Sequence, residues 1–118
     1  MRLIIPDIPR SPNGPKGLLR MHWADRSRYY KEWFWHVMGA MDVHYYESRI
    51  ILDKAKVHIH QIRTKELDPD NLVSSNKPVL DAMVKCNLIK DDNGNCIDLE
   101  CTQEIGKVKQ TIIDIEAV

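Results

Sequence analysis

The sequence predicts an α/β chain of the α+β type: a mixed β-sheet with two main helices packed on it, in the order β-α-β-α-β-β. Three observations lead there. Residues 55–63 alternate apolar with polar, placing Ala55, Val57 and Ile59 opposite Lys56, His58 and His60, the period of a half-buried strand. Residues 24–41 set Tyr30, Trp33, Phe34, Val37 and Met41 at i, i+3, i+4, i+7 and i+11, one apolar stripe of a helix. Near the far end Ile97, Leu99 and Cys101 alternate, and residues 108–115 are rich in β-branched side chains, which together read as a closing pair of strands.

The remaining elements follow in chain order. Residues 2–5 read as a short first strand that Pro6 ends. A surface loop over residues 7–19 is punctuated by Pro9, Pro12, Asn13, Gly14, Pro15 and Gly17, and it carries Arg10 and Lys16, with Arg20 just beyond. After the first helix, residues 44–53 fit neither period. The second helix has Leu80, Met83, Val84 and Leu88 on its buried side; Pro78 belongs in its first turn, with Ser75 or Asn76 as its cap. Asp91-Asp92-Asn93-Gly94-Asn95 is a turn.

At 118 residues the chain is a single domain, 1–118, of a size that buries roughly two-thirds of its unfolded surface without a metal or disulfide staple. With 43 % apolar and 29 % charged residues, the composition is that of a globular protein and excludes a wholly disordered chain. No stretch approaches the ~20 apolar residues of a membrane span, and Leu3, Ile4 and Ile5 alone do not make a signal peptide. Cys86, Cys96 and Cys101 are odd in number and lack a CxxC pair, so the expectation is a soluble, cytoplasmic protein in a reducing compartment. The formal charge is zero, 17 cations against 17 anions, but it is divided unevenly. Residues 1–67 hold 12 Lys/Arg against 7 Asp/Glu, and residues 68–118 hold 5 against 10. A basic half can bind a polyanion if the acidic groups of the other half cluster around cations.

The chemistry is concentrated in Glu66-Leu67-Asp68-Pro69-Asp70-Asn71, directly after a predicted strand. Pro69 drives Asp68 towards an extended backbone, and in an extended chain residues two apart share a side, so Asp68 and Asp70 are expected to project together. Two such charges about 4 Å apart repel by roughly 4 kcal/mol at an effective dielectric near 20, which calls for a cation, a proton or a basic side chain. Asp91 and Asp92 form a second acidic pair beyond the intervening helix. If that helix runs back beside the strand, oxygen ligands from two segments converge, a donor set suited to Mg²⁺ or Mn²⁺ and to phosphodiester cleavage, with Lys77 near the phosphate. The same Asp-Pro-Asp-Asn composition also serves an ordinary turn or helix N-cap, and Asp91–Asn93 a solvated turn. Neither segment is an EF-hand loop, because the required glycine position falls on Val73 or Cys96.

Taken together, Asp68-Pro69-Asp70-Asn71-Leu72, Lys77-Pro78-Val79-Leu80-Asp81-Ala82 and Asp91-Asp92 resemble the core of the RusA-type Holliday junction resolvases, small Mg²⁺-dependent endodeoxyribonucleases common in prophages. That family's pattern is D-x-D-N, a helix with a Lys and an Asp-Ala or Asp-Gly pair, then Asp-Asp about ten residues on. The proline-rich loop with Pro9, Ser11, Pro12 and Asn13 before a basic helix extends the similarity over nearly the whole chain. The resemblance implies Asp68, Asp70 and Asp92 as metal-binding carboxylates, Asp91 as a contributor beside them, and Lys77 as the catalytic lysine. It also implies a homodimer acting on four-way DNA junctions, in recombination and repair. Residues 73–76 make the segment before Lys77 longer than in the shortest family members, which lengthens the reach asked of that lysine. Arg10, Lys16, Arg20, Arg26 and Arg28 are candidate DNA-backbone contacts, each also readable as plain surface charge.

Other readings are weaker. His58 and His60 share a strand face, but no third well-spaced ligand supports zinc. Trp33 and Phe34 sit on the helix stripe and read as core, whereas Trp35 points elsewhere. The alternatives to a junction resolvase are a non-catalytic junction-binding protein of the same fold and a Mg²⁺-dependent nuclease for other branched DNA.

Overall fold

A computed structural model describes residues 1–14, 16–41 and 51–118. Four strands and three helices account for most of them: β1 (Arg2–Ile5), α1 (Trp23–Ala40), β2 (Ala55–Arg63), α2 (Pro69–Ser75), α3 (Lys77–Lys85), β3 (Ile97–Ile105) and β4 (Gln110–Ala117), with a 3-10 turn at Leu18–Arg20. The strands form one mixed sheet in the order β1-β4-β2-β3. β4 runs antiparallel to both β1 and β2, whereas β2 and β3 are parallel, with Ala55 opposite Ile97 and Arg63 opposite Ile105. A parallel pair needs a crossover of a dozen or more residues, and α2 and α3 provide it. This is the α+β architecture with a mixed sheet that the hydrophobic periods imply.

Alternation decides which sheet face is covered. Leu3 and Ile5 of β1, Ala55, Val57 and Ile59 of β2, and Ile113 and Ile115 of β4 are buried, and α1 and α3 pack against that side. The helices answer with Tyr29, Trp33 and Val37 from α1 and with Val79, Leu80, Ala82 and Met83 from α3. Trp33 is only 1 % exposed, so it is core, as its place on the stripe implies; Trp35, off the stripe, is exposed. The opposite face carries Lys56, Asp98, Glu100, Asp114 and Glu116, with no helix among the described residues lining it. No helix among the described residues is long and apolar enough to cross a membrane.

Local chemistry sets the helix ends. His22 caps α1, its Nδ1 accepting from the Ala24 amide at 3.3 Å, and Asp25 sits favourably in the first turn. The long loop turns at Gly14, whose φ of +92° is in the left-handed region, and a Cβ at Gly17 would run into the Asn13 carbonyl.

Three sequence expectations change. The second helical region is two helices, not one: Asn76, at φ −82° and ψ 0°, both ends α2 and starts α3. Pro78 has no amide hydrogen to continue the α2 ladder, so the helix stops and restarts with the proline in a first turn. The extended run proposed for Asp68–Asp70 is also shorter. Asp68 alone is extended, at ψ 151°, while Asp70 already lies in the first turn of α2. Pro69 explains both facts, since it restricts the residue before it and is itself a favoured first helical residue. β4 begins at Gln110 rather than at 108. Most of the unassigned segment 44–53, and Pro15, lie outside the described residues.

Candidate active site

A buried polar network holds the acidic segment in place. Gln61 projects from the covered face of β2 and is fully buried; its Nε2 donates to Ser75 Oγ at 3.0 Å and to Asn76 Oδ1 at 2.8 Å. Asn76 in turn donates to the Leu72 carbonyl at 3.3 Å and to Cys101 Sγ at 3.4 Å. The α2–α3 junction is therefore pinned to the centre of the sheet. Burial raises the Cys101 thiol above the ordinary range, keeping it a neutral partner for that amide. Upstream, Gln103 of β3 clasps Leu67 from both sides, accepting from its amide at 3.0 Å and donating to its carbonyl at 2.7 Å. Asp68 is thus the first residue beyond a fixed backbone point. Its carbonyl accepts from the Leu72 amide at 2.8 Å, opening α2, while its exposed carboxylate makes no capping bond.

Lys77, the first residue of α3, reaches Asp92: Nζ lies 3.3 Å from Oδ2, a half-exposed contact 15 residues apart in sequence. The longer segment 73–76 does not keep the lysine from the acidic pair, because α2 coils it into a compact turn. Asp91 points into its own turn, accepting from the Asp92 amide at 2.7 Å and from Asn93 Nδ2 at 3.2 Å. Asp70 and Asp68 are exposed at the start of α2. Asn71, next to Asp70, lines the same cavity of about 490 Å³ as Lys77, with Asn13, Arg26 and Tyr30. Asn13 Nδ2 donates to Asn71 Oδ1 at 2.8 Å, joining the basic loop to α2.

That loop is held at several further points. Arg63, buried at the end of β2, donates to the Pro9 carbonyl at 2.9 Å; Thr111 Oγ1 donates to the Asp7 carbonyl at 2.6 Å; and the Arg10 amide donates to Tyr29 Oη at 2.7 Å. The five basic candidates do not share one place. Arg26 lines the cavity beside Lys77, but Arg10 stacks 5.0 Å over the Tyr29 ring and sits in a separate concavity with Arg63 and Lys109. Lys16 and Arg20 are exposed on the loop, and Arg28 is paired with Asp25.

Among the described residues no group of three or more His, Cys, Asp or Glu side chains lies close enough to hold a metal ion. The donor chemistry nevertheless fits a hard, hydrated ion. Carboxylates line the segment, and Mg²⁺ is ordinarily held by one or two of them plus waters and substrate phosphates rather than by a full protein cage. On the open sheet face, His58 and His60 both lie 2.6 Å from Thr102 Oγ1, and His60 contacts Glu104 at 2.9 Å. This is a hydrogen-bonded chain along two strands.

Neither the protein-family models nor the curated proteins include a match to this chain. The site therefore rests on its own geometry. Sequence reasoning singles out Asp68, Asp70, Asp92 and Lys77 and names Asn76 as a helix cap, but it gives no role to Gln61 or Gln103, which hold the segments carrying Asp68 and Lys77. Parity could have revealed Gln61: it is an uncharged polar residue at a position where the strand otherwise buries Ala55, Val57 and Ile59.

Proposed function

We propose that the chain is a divalent-metal-dependent endodeoxyribonuclease that resolves four-way DNA junctions, as its resemblance to the RusA-type resolvases implies. The observation that carries this reading is the 3.3 Å contact from Lys77 to Asp92, made at the cavity that Asn71 also lines. It links the start of α3 to the Asp91-Asp92 turn, beside a cavity that Asn71 of α2 also lines. Asp68, Asp70 and Asp92 are the residues that would hold Mg²⁺ or Mn²⁺, with Asp91 beside them. When bound, such an ion supplies Lewis-acid stabilisation of phosphoryl charge and a more acidic water.

The chain's own residues do the rest. Lys77 sits where it can balance Asp92 before substrate arrives and stabilise negative charge on a phosphate afterwards. Arg26 brings a second cation to the same concavity, and Arg10, Lys16 and Arg20 extend positive charge along the loop. A homodimer would present two sites for paired incision, and thiols outside any disulfide suit a reducing cytoplasm.

One observation favours the second reading, a non-catalytic junction-binding protein of this fold: Asp92 already has a cationic partner in Lys77. The test is incubation of wild type and Asp70→Asn with a synthetic four-way junction, a fork and linear duplex, with and without Mg²⁺. Wild type is expected to cut the junction only with metal. Asp70→Asn should lose at least about 100-fold in rate, the upper end for damage to the shell around a metal, with gel-shift affinity retained. Binding without cleavage by wild type would select the second reading, and preferential cutting of the fork a nuclease for other branched DNA.

A further inference from the structure

The concavity beside Lys77 continues past the candidate site. Arg26 and Tyr30 line it and also line a second concavity of about 330 Å³, which Trp23, Asp81 and Lys85 complete. The first lies among the loop of residues 12–19, α1, α2 and the start of α3, and the second lies between α1 and α3. Trp23, Arg26 and Tyr30 follow i, i+3, i+7 on α1, and Lys77, Asp81 and Lys85 follow i, i+4, i+8 on α3. The result is one groove, open at Lys77 towards Asp92 and extending about 12 Å along α3 to Lys85.

Its chemistry is specific. Arg26, Lys77 and Lys85 supply three cations against one carboxylate, Asp81, which lies 3.1 Å from Lys85 Nζ. Arg26 Nε is buried with no hydrogen-bond partner among the described residues, and an Nη of the same side chain reaches only the Met21 carbonyl at 3.5 Å. At the far end Trp23 is 75 % exposed, a large aromatic face turned to water where α1 has buried Trp33. Alternating cations and aromatic faces in a channel are what an unpaired nucleic-acid strand requires, since its phosphates need charge and its unstacked bases need a π-surface. Openings of 330–490 Å³ are of small-ligand size and admit single nucleotides.

We propose that the groove between α1 and α3 binds one unpaired DNA strand continuing from the scissile phosphate, with Arg26 and Lys85 on its phosphates and a base stacked on Trp23. This rests on the nuclease reading for its direction, and it adds Trp23, Tyr30 and Lys85 to the substrate-binding residues. It also gives DNA with an unpaired arm, such as a fork, a physical advantage over duplex, whose bases stay paired and stacked.

The test is fluorescence anisotropy of the full chain with a labelled oligo-dT strand and with a duplex of equal length, in EDTA, for wild type, Trp23→Ala, Trp23→Phe and Lys85→Gln. Trp23 and Lys85 are exposed, so circular dichroism should show unchanged folding. Trp23→Ala should weaken strand binding at least about fivefold with Trp23→Phe recovering most of it, duplex affinity moving less than about twofold. Lys85→Gln should reduce the salt slope for the strand by about 0.7. Equal strand affinity for wild type and Trp23→Ala would overturn the proposal, as would wild type that binds duplex but no strand. Strand binding through Trp23 by a protein that cuts no DNA would keep the groove and refute the nuclease. Junction cleavage with a Trp23→Ala variant unaltered in strand affinity would do the reverse.

Discussion

Gln61 shows how much of this molecule depends on single buried amides. Its two ends serve different masters: Nε2 holds Ser75 and Asn76, while Oε1 accepts from Arg63 at 2.6 Å. Gln61→Leu keeps the volume and the strand parity but leaves Asn76 Oδ1 and part of the Arg63 guanidinium without partners in a dry interior. Each buried group left unsatisfied costs about 1–3 kcal/mol, so the variant should lose about 2–4 kcal/mol in urea unfolding. Cleavage should fall as well, since the α2–α3 junction carries Lys77. At this scale the sequence was legible where chemistry is local. Asp68, Asp70 and Asp92 announce themselves by charge, whereas the partners of Gln61 lie 14 and 15 residues away across a helix junction and no spacing rule connects them. Trp23 left a fainter trace, because it falls one residue before the predicted helix of residues 24–41.

Among the elements, strands were easier to read than helices. β1 and β2 begin and end where their alternation does, because one sheet face is covered and the other is not. α2 was missed because Asp-Pro-Asp-Asn has the composition of both a turn and a helix start, and the seven residues are too short to show a period. What chooses helix is tertiary: Gln103 fixes Leu67, and Gln61 receives Ser75 and Asn76, so both ends of α2 are determined from the sheet. Gln103→Ala should therefore cost only about 1–2 kcal/mol in stability, yet lower the junction-cleavage rate by a larger factor than this implies, with gel-shift affinity unchanged. Equal losses in rate and affinity would mean that the clasp supports the fold alone.

Over the whole molecule, the basic first half and acidic second half of the sequence become partners. Arg2 of β1 meets Asp114 of β4 through two bonds, Nε at 2.8 Å and an Nη at 3.1 Å. The hydrogen bonds from Arg2 are the main reason the Asp114 carboxyl lies below the ordinary aspartate range. With its folded pKa below the unfolded value of about 3.9, this carboxylate favours the folded state above that pH, and the benefit disappears as pH falls through the folded value. Wild type should melt at a higher temperature than Asp114→Asn at pH 6, and the gap should close in calorimetry as the pH falls below about 4.

The strand order β1-β4-β2-β3 has a consequence for how the chain matures. The interior position beside both β1 and β2 belongs to β4, the last of the four to leave the ribosome, so β1 waits about a hundred residues for its partner strand. Until then β2 can zip only with β3, and the nascent polypeptide exposes Leu3 and Ile5. Contacts this remote in sequence slow folding and lengthen exposure to aggregation and proteolysis. Deleting β4 would accordingly leave β1 as a lone strand and β2–β3 as an isolated pair, rather than trim the sheet's margin.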